Sequence, residues 1–386
     1  MSSSRILLSI LLTGAAAGLA GCAADPGSAD PMSMAMGNPI TGEGLPNPAP
    51  TVTSNWGQLP GGRTMGTSAG MEIDPTDGHI WTYERCGSGS AGGPGVDCDS
   101  NAVAPVFKLD RHTGAVLANI GEGVMVTPHG IHVDRQGNVW VTDFNVNKAG
   151  TKGHQVHKFS PKGELLMSLG VAGQAGNDER HLNQPNDVIT APDGSIFVSD
   201  GHSGQGMTTN QAIEEGRAKG LTGRIMKFTA DGTFVTQWGQ IGTLHGEFRT
   251  PHAMAFDSQG RLWVADRGNH RIEIFDQSGK YLESRYMYGR ISGIYITPDD
   301  MVYAIDSESS PTTHPNWNNG VRIGRVDADR IVGFVPPFPA DTRPYQGAAG
   351  EGVAVDADGN VYAAEGPNSL RFAGGPFTKY SVRAGT

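Results

Sequence analysis

The chain has 386 residues, of which 37% are hydrophobic, 18% charged and 7% aromatic, with 56 glycines, 24 prolines and a formal net charge of −10. So many turn residues beside so few charges argue against long helices and fit many short strands in an all-β fold, which can fill this length as one domain. The acidic balance, without a cluster of Lys and Arg, argues against a nucleic-acid partner.

Residues 1–22 read as a targeting segment: Arg5 precedes an apolar run from Ile6 to Leu12, then small residues, then Leu19-Ala20-Gly21-Cys22. This stretch resembles a bacterial lipoprotein signal, which implies cleavage before Cys22 and acylation of its thiol. A simple secretory signal is the alternative. The lipoprotein reading places the protein in the cell envelope, lipid-anchored and facing the periplasm, with the outer membrane favoured because Ala23 stands where an inner-membrane retention signal has Asp; the plain signal makes it secreted. No later stretch approaches the roughly 18 apolar residues of a membrane span, so the membrane is met through the anchor only. Residues 23–50 are rich in Pro, Gly, Ser, Ala and Met without apolar periodicity and read as a flexible tether.

From about residue 51 onward one phrase recurs six times: MEIDPTDGHIWTYE, IHVDRQGNVWVTD, VITAPDGSIFVSD, MAFDSQGRLWVAD, IYITPDDMVYAID and VAVDADGNVYAAE. Each is a strand, a turn usually bearing Gly, and a second strand. The aligned positions Asp74, Asp134, Ala191, Asp257, Thr297 and Asp356 are 60, 57, 66, 40 and 59 residues apart, which leaves room for a third and fourth strand in each unit. Such a four-stranded unit cannot bury both faces alone, so the units must pack side by side in a ring. Residues 51–386 are therefore expected to form a six-bladed β-propeller. The last copy has a third strand in FTKYSV and no fourth, whereas VTSNWGQLP near position 52 resembles VTQWGQIG of blade three; the N-terminal strand is predicted to complete blade six. An insert at 203–222 falls between the second and third strands of blade three, is predicted to overhang one face of the ring, and contains AIEEGRAKG, which reads as a short helix.

Setting Cys22 aside leaves Cys86 and Cys98, joined by a flexible segment, and a disulfide is the natural pairing in an oxidising compartment. A metal-binding pair is the alternative, though neither a CxxC spacing nor a nearby His supports it.

Five positions before each aligned site lies the residue that enters the inner strand: Ala69, His129, Asn186, His252, Ser292 and Glu351. In a propeller these ring one mouth of the central channel, with His129, His252 and Glu351 about 120° apart. Two imidazoles and a carboxylate suit Zn²⁺ with a coordination position left open. The competing reading is that Thr-Pro-His recurs at 127–129 and 250–252 only because repeats copy structural residues. Against it, blades one, three and five lack His there. Asp143, Asp200, Asp266 and Asp306 end the hairpins of most blades and read as turn and strand-end hydrogen bonders. Arg85 and Arg267 sit where the second strand returns to the same mouth, either as surface ion pairs or as a bidentate clamp for a substrate carboxylate. His202 follows VSD in blade three and is a candidate for proton transfer.

PHGIHVDRQGNVWVTD, QPNDVITAPDGSIFVSDGH, VTQWGQIGTLHGEFRTPHAMAFD and ADRGNHRIEIF together resemble the peptidyl-α-hydroxyglycine α-amidating lyases, propellers of NHL-type repeats. The resemblance covers most of residues 55–365 and implies a channel zinc on three histidines, a nearby calcium, substrate-holding arginines and a tyrosine base. Carried over, two zinc histidines fall on His129 and His252 and the arginines on Arg85 and Arg267. The third histidine falls on Glu351, the calcium-binding aspartate on Gly352 and the tyrosine on His202. What the resemblance implies is therefore a metal-dependent lyase that acts on a peptide C-terminus, or on another small carbinol or carboxylate, and releases glyoxylate; the protein is expected to be a monomer. Two rivals stand beside it: a non-catalytic propeller that binds a protein, peptide or glycan, and a lactonase-like hydrolase whose metal prefers the oxygens of Glu351 and Asn186.

Overall fold

A computed structural model describes residues 37–57, 63, 65–87, 97–101, 103–338, 347 and 349–382. The predicted targeting segment with Cys22 and the first part of the predicted tether lie outside the described residues. The strands form six four-stranded antiparallel sheets, each hydrogen-bonded in sequence order except one. The exception is blade six, where Thr51–Thr53 pairs with Phe377–Ser381 in the register Thr51↔Ser381, Val52↔Tyr380 and Thr53↔Lys379. The ring is thus a six-bladed all-β propeller whose last blade takes its outer strand from the other end of the chain.

The repeated phrase explains why each blade holds together. The turn aspartate accepts its own turn's amides and also the ring nitrogen of a buried tryptophan further along: Asp74 to Trp81, Asp134 to Trp140 and Asp257 to Trp263, at 2.9–3.2 Å. In blade six Tyr362 supplies the hydroxyl instead, 2.8 Å from Asp356. Where the turn residue is Ala191 the ring residue is Phe197, which needs no acceptor. A large side chain is buried with its polar atom satisfied, and each such bond contributes about 1 kcal/mol net.

The tether prediction needs correction over its second half. Residues 37–50 lie on blade five: Arg322 donates from Nε to Pro39 O at 2.7 Å and from Nη2 to Ile40 O at 2.8 Å, and the Phe334 amide donates to Pro46 O at 2.9 Å. The Arg322 guanidinium is fully buried between the rings of Trp317 and Phe334. The strap docks through backbone carbonyls, which is why a segment without apolar periodicity is nevertheless fixed.

The insert of blade three contains a 3₁₀ turn, Ser203–Gly206, and a helix, Asn210–Ala218, capped by Thr209. No helix among the described residues is long and apolar enough to cross a membrane. Cys86 and Cys98 form the expected disulfide, with Cα atoms 5.0 Å apart.

Candidate metal and substrate site at the channel mouth

The inner strands of blades two to five begin with an irregularity that aims one side chain at the axis. Pro185 pairs with Asp200 and Asp187 with Ser199, so Asn186 is an extra residue; His252 and Ser292 stand in the same relation to their partner strands. In blade two the shift lies between Pro128 and Ile131, which includes His129. A bulge of this kind re-aims a side chain out of the alternation. The hairpin-ending aspartates hold the entrance to these strands. Asp143 accepts the amides of Val126 and Thr127, Asp200 that of Asn183, Asp266 those of Arg249 and Thr250, and Asp306 that of Arg290. Their predicted hydrogen-bonding role is what the structure shows.

The two predicted ligand histidines are buried and oriented alike. Nδ1 of His129 meets Asn186 O at 2.9 Å and Nδ1 of His252 meets Ser292 O at 2.5 Å. A carbonyl only accepts, so both Nδ1 atoms carry the proton and both Nε2 lone pairs are free. The Nε2 atom of His252 is buried without a hydrogen-bond partner. Their rings are 4.8 Å apart, centroid to centroid. Burial pushes both imidazoles well below the usual histidine range, helped by Arg85 at His129 and by Arg267 at His252, so both are neutral and fit to bind a cation.

Glu351 approaches His252 alone of the two, its Oε2 3.9 Å from His252 Nε2, and it stands outside the set of three histidines whose ligand-capable atoms gather within 4.8 Å of one another. Burial raises its carboxyl, opposed by the charge of Arg267. The chain just past the second strand of the blade, Val361–Ala364, leaves space for it: a Cβ on Gly366 would fall 2.3 Å from Glu351 Oε1.

His202, expected as a proton-transfer group, is drawn into the cluster itself. Its ligand-capable atom lies within 4.8 Å of those of His129 and His252, a spread that a single metal ion can bridge. Its Nε2, however, is 3.0 Å from Arg267 Nη2. Since a guanidinium only donates, that lone pair is occupied and the proton sits on Nδ1. Burial and Arg267 keep this ring neutral as well.

Arg85 and Arg267 follow the strand-ending acids Glu84 and Asp266 on opposite blades, both buried. Arg85 donates from Nε to Pro128 O at 3.1 Å. Arg267 bonds His202, Ser292 Oγ at 3.3 Å and Gln205 Oε1 at 2.9 Å. Three residues at this mouth were not foreseen from sequence: Gln205, Arg290 and Glu308. Arg290 had a signal, since it stands where blades two and four have the buried Thr127 and Thr250.

Residues 248–275 match the NHL repeat model. The repeat is of the NHL type. Over 328 residues the propeller is 29% identical to peptidyl-glycine alpha-amidating monooxygenase B of Xenopus laevis, covering 78% of this chain and 33% of that one. The chain thus spans about a third of that relative's length. It is also 29% identical to peptidyl-alpha-hydroxyglycine alpha-amidating lyase 1 of Drosophila melanogaster, over 67% of this chain and 46% of that protein. Among solved structures a gluconolactonase from Xanthomonas campestris superposes with a TM-score of 0.52 at 13% identity, covering 86% of this chain and 89% of that chain, a likeness of fold.

Proposed function

We propose that His129, His252 and Glu351 hold a divalent metal, zinc first among the candidates, and that this mouth cleaves a carbinolamide such as a C-terminal α-hydroxyglycine into an amide and glyoxylate. The observation that carries this is the pair of imidazoles, each held by an Nδ1–H bond to a backbone carbonyl, with ligand-capable atoms within 4.8 Å of each other and the Glu351 carboxylate 3.9 Å from His252 Nε2. Metal-ligating histidines are commonly oriented by just such an outer hydrogen bond. The likeness to the amidating lyases supports the same reading. A bound metal would supply Lewis acidity to the carbinol oxygen.

The chain's own groups do the rest. Arg267, with Arg85 opposite, holds the carboxylate. When Arg267 turns to that carboxylate, the Nε2 lone pair of His202 is released to take the hydroxyl proton. The C–N bond breaks as the C=O bond of glyoxylate forms, and His202 returns the proton to the departing amide nitrogen. No net proton is gained or lost.

A second reading rests on Asn186. Its Nδ2 donates to Gly201 O and Pro251 O, at 3.2 and 3.0 Å, which fixes the amide orientation and leaves Oδ1 buried without a partner. With Glu351 it offers the oxygen ligands of a calcium-dependent, lactonase-like hydrolase.

The deciding assay incubates the purified protein with a peptide ending in α-hydroxyglycine. Glyoxylate release that is lost on chelation and restored by zinc is the expected result. Lactone hydrolysis supported by calcium and not zinc would favour the second reading. Purification without stoichiometric metal, and no turnover of either substrate, would leave a binding propeller. Gly366→Ala offers a finer check: by pushing the Glu351 carboxylate off its position it is expected to lower metal affinity about 10–100-fold, read by chelator competition, with the fold intact. An unchanged affinity would count against Glu351 as a ligand.

A further inference from the structure

Arg267 and Arg290 are two nearly buried guanidiniums that share one neutral acceptor. Gln205 Oε1 lies 2.9 Å from Arg267 Nη2 and 2.9 Å from Arg290 Nη2. The backbone oxygen of Gln205 accepts in turn from Arg249 Nη2 at 2.8 Å. The carboxylate in reach is Glu308, at 3.9 Å from Arg267 and 3.4 Å from Arg290. Arg267 and Arg290 are only 1% and 4% exposed, and the Nε of each is buried without a partner. The two guanidiniums thus converge on a neutral oxygen, with Glu308 the one carboxylate among the described residues within 4 Å of both. Buried charge of this kind is costly unless matched, and a carboxylate bonds a guanidinium about twice as strongly as an amide does.

We propose that Arg290 joins Arg267 on the substrate carboxylate, on the side away from Arg85, and that Gln205, at the root of the 203–222 insert, is a plug that occupies this pair until the carboxylate arrives. The inference rests on this mouth being the substrate site and deepens that reading, because it adds Arg290 as a further contact of the carboxylate and Gln205 as its internal competitor. Gln205 is on a 3₁₀ turn, Ser203–Gly206, and is partly exposed, so its side chain has room to swing out while the turn stays. Arrival of the carboxylate is also what draws Arg267 from His202, so the plug couples substrate capture to release of the base. The insert thereby acquires a use that its length alone did not suggest.

The test measures calorimetric binding of N-acetylglycine and of the neutral N-acetylglycinamide to the full chain, without turnover. Gln205→Ala removes the internal competitor and is expected to tighten N-acetylglycine about two- to fivefold, since a binding-competent state that is only partly populated weakens the apparent affinity. Gln205→Glu carries its own carboxylate into the subsite and is expected to weaken N-acetylglycine by about tenfold or more while raising the melting temperature. The amide should respond to neither substitution. The proposal is overturned if Gln205→Ala leaves the acid's affinity unchanged or weaker, if Gln205→Glu binds it as the wild type does, if the amide follows the acid, or if neither the wild type nor Gln205→Ala binds it at all. Absence of glyoxylate release with these shifts intact would reject the lyase reading and keep the subsite. Glyoxylate release without them would do the reverse.

Discussion

Alanine at His129 or His252 is expected to abolish both bound metal and turnover, with the propeller still folded. Each ring supplies one free Nε2, and neither is tied into the blade ladder by its side chain beyond a single Nδ1–H bond. Substitution therefore costs the fold one hydrogen bond and a modest cavity, whereas it takes away one of three ligand atoms. With the ligand set broken, the Lewis-acid contribution of several kcal/mol disappears, which corresponds to a rate loss of about 10³-fold or more. The control is His112→Ala, on an exposed turn where the ring meets Arg111, which should leave metal content and rate untouched. Metal analysis of each purified variant, beside its circular dichroism, checks the result. Variants that kept both metal and rate would show that the histidines are structural copies of the repeat.

A chain beginning at residue 58 is expected to melt about 10 °C lower than the full chain. Removing the N-terminal residues takes away the outer strand of blade six and the strap on blade five together. Thr51–Thr53 supplies a ladder to Phe377–Ser381, and the Trp56 amide adds a bond to Phe377 O at 2.8 Å. Trp56 itself is 6% exposed and packs on Tyr362, ring centroids 5.1 Å apart, with Lys379 over its face. Loss of that buried indole and the ladder costs about 5 kcal/mol. At about 2 °C per kcal/mol for a domain of this size, the shift follows. The buried Arg322 would also lose the Pro39 and Ile40 carbonyls and keep only Asn318 O and Asp306 as polar partners, which adds to the deficit. Calorimetry of the two chains is sufficient; a melting temperature within about 2 °C of the full chain would mean that blade six closes the ring without its outer strand.

Much of the ring was legible because a propeller blade must repeat its burial pattern. Asp134 with Trp140 and Asp257 with Trp263 are the same hydrogen bond written twice, and the pattern persists with Tyr362 where an indole is absent. Counting back five positions from these turns reached His129, His252 and Glu351 without any knowledge of the bulges that aim the two histidines. The strap was not legible, since its docking uses the carbonyls of Pro39, Ile40 and Pro46, which every residue possesses. Gln205 was equally hidden, because what it touches depends on the path of an insert with no counterpart in the other blades. His202 was visible as a candidate, but its tautomer is set by Arg267, sixty-five residues away in sequence.

Anomalous diffraction from crystals of the purified protein, recorded above and below the zinc absorption edge, tests the central claim most directly. A single peak on the channel axis, within bonding distance of Nε2 of His129, Nε2 of His252 and a Glu351 oxygen, is the predicted result. An empty channel mouth in protein purified without chelator, or a peak bonded to other residues, would contradict it.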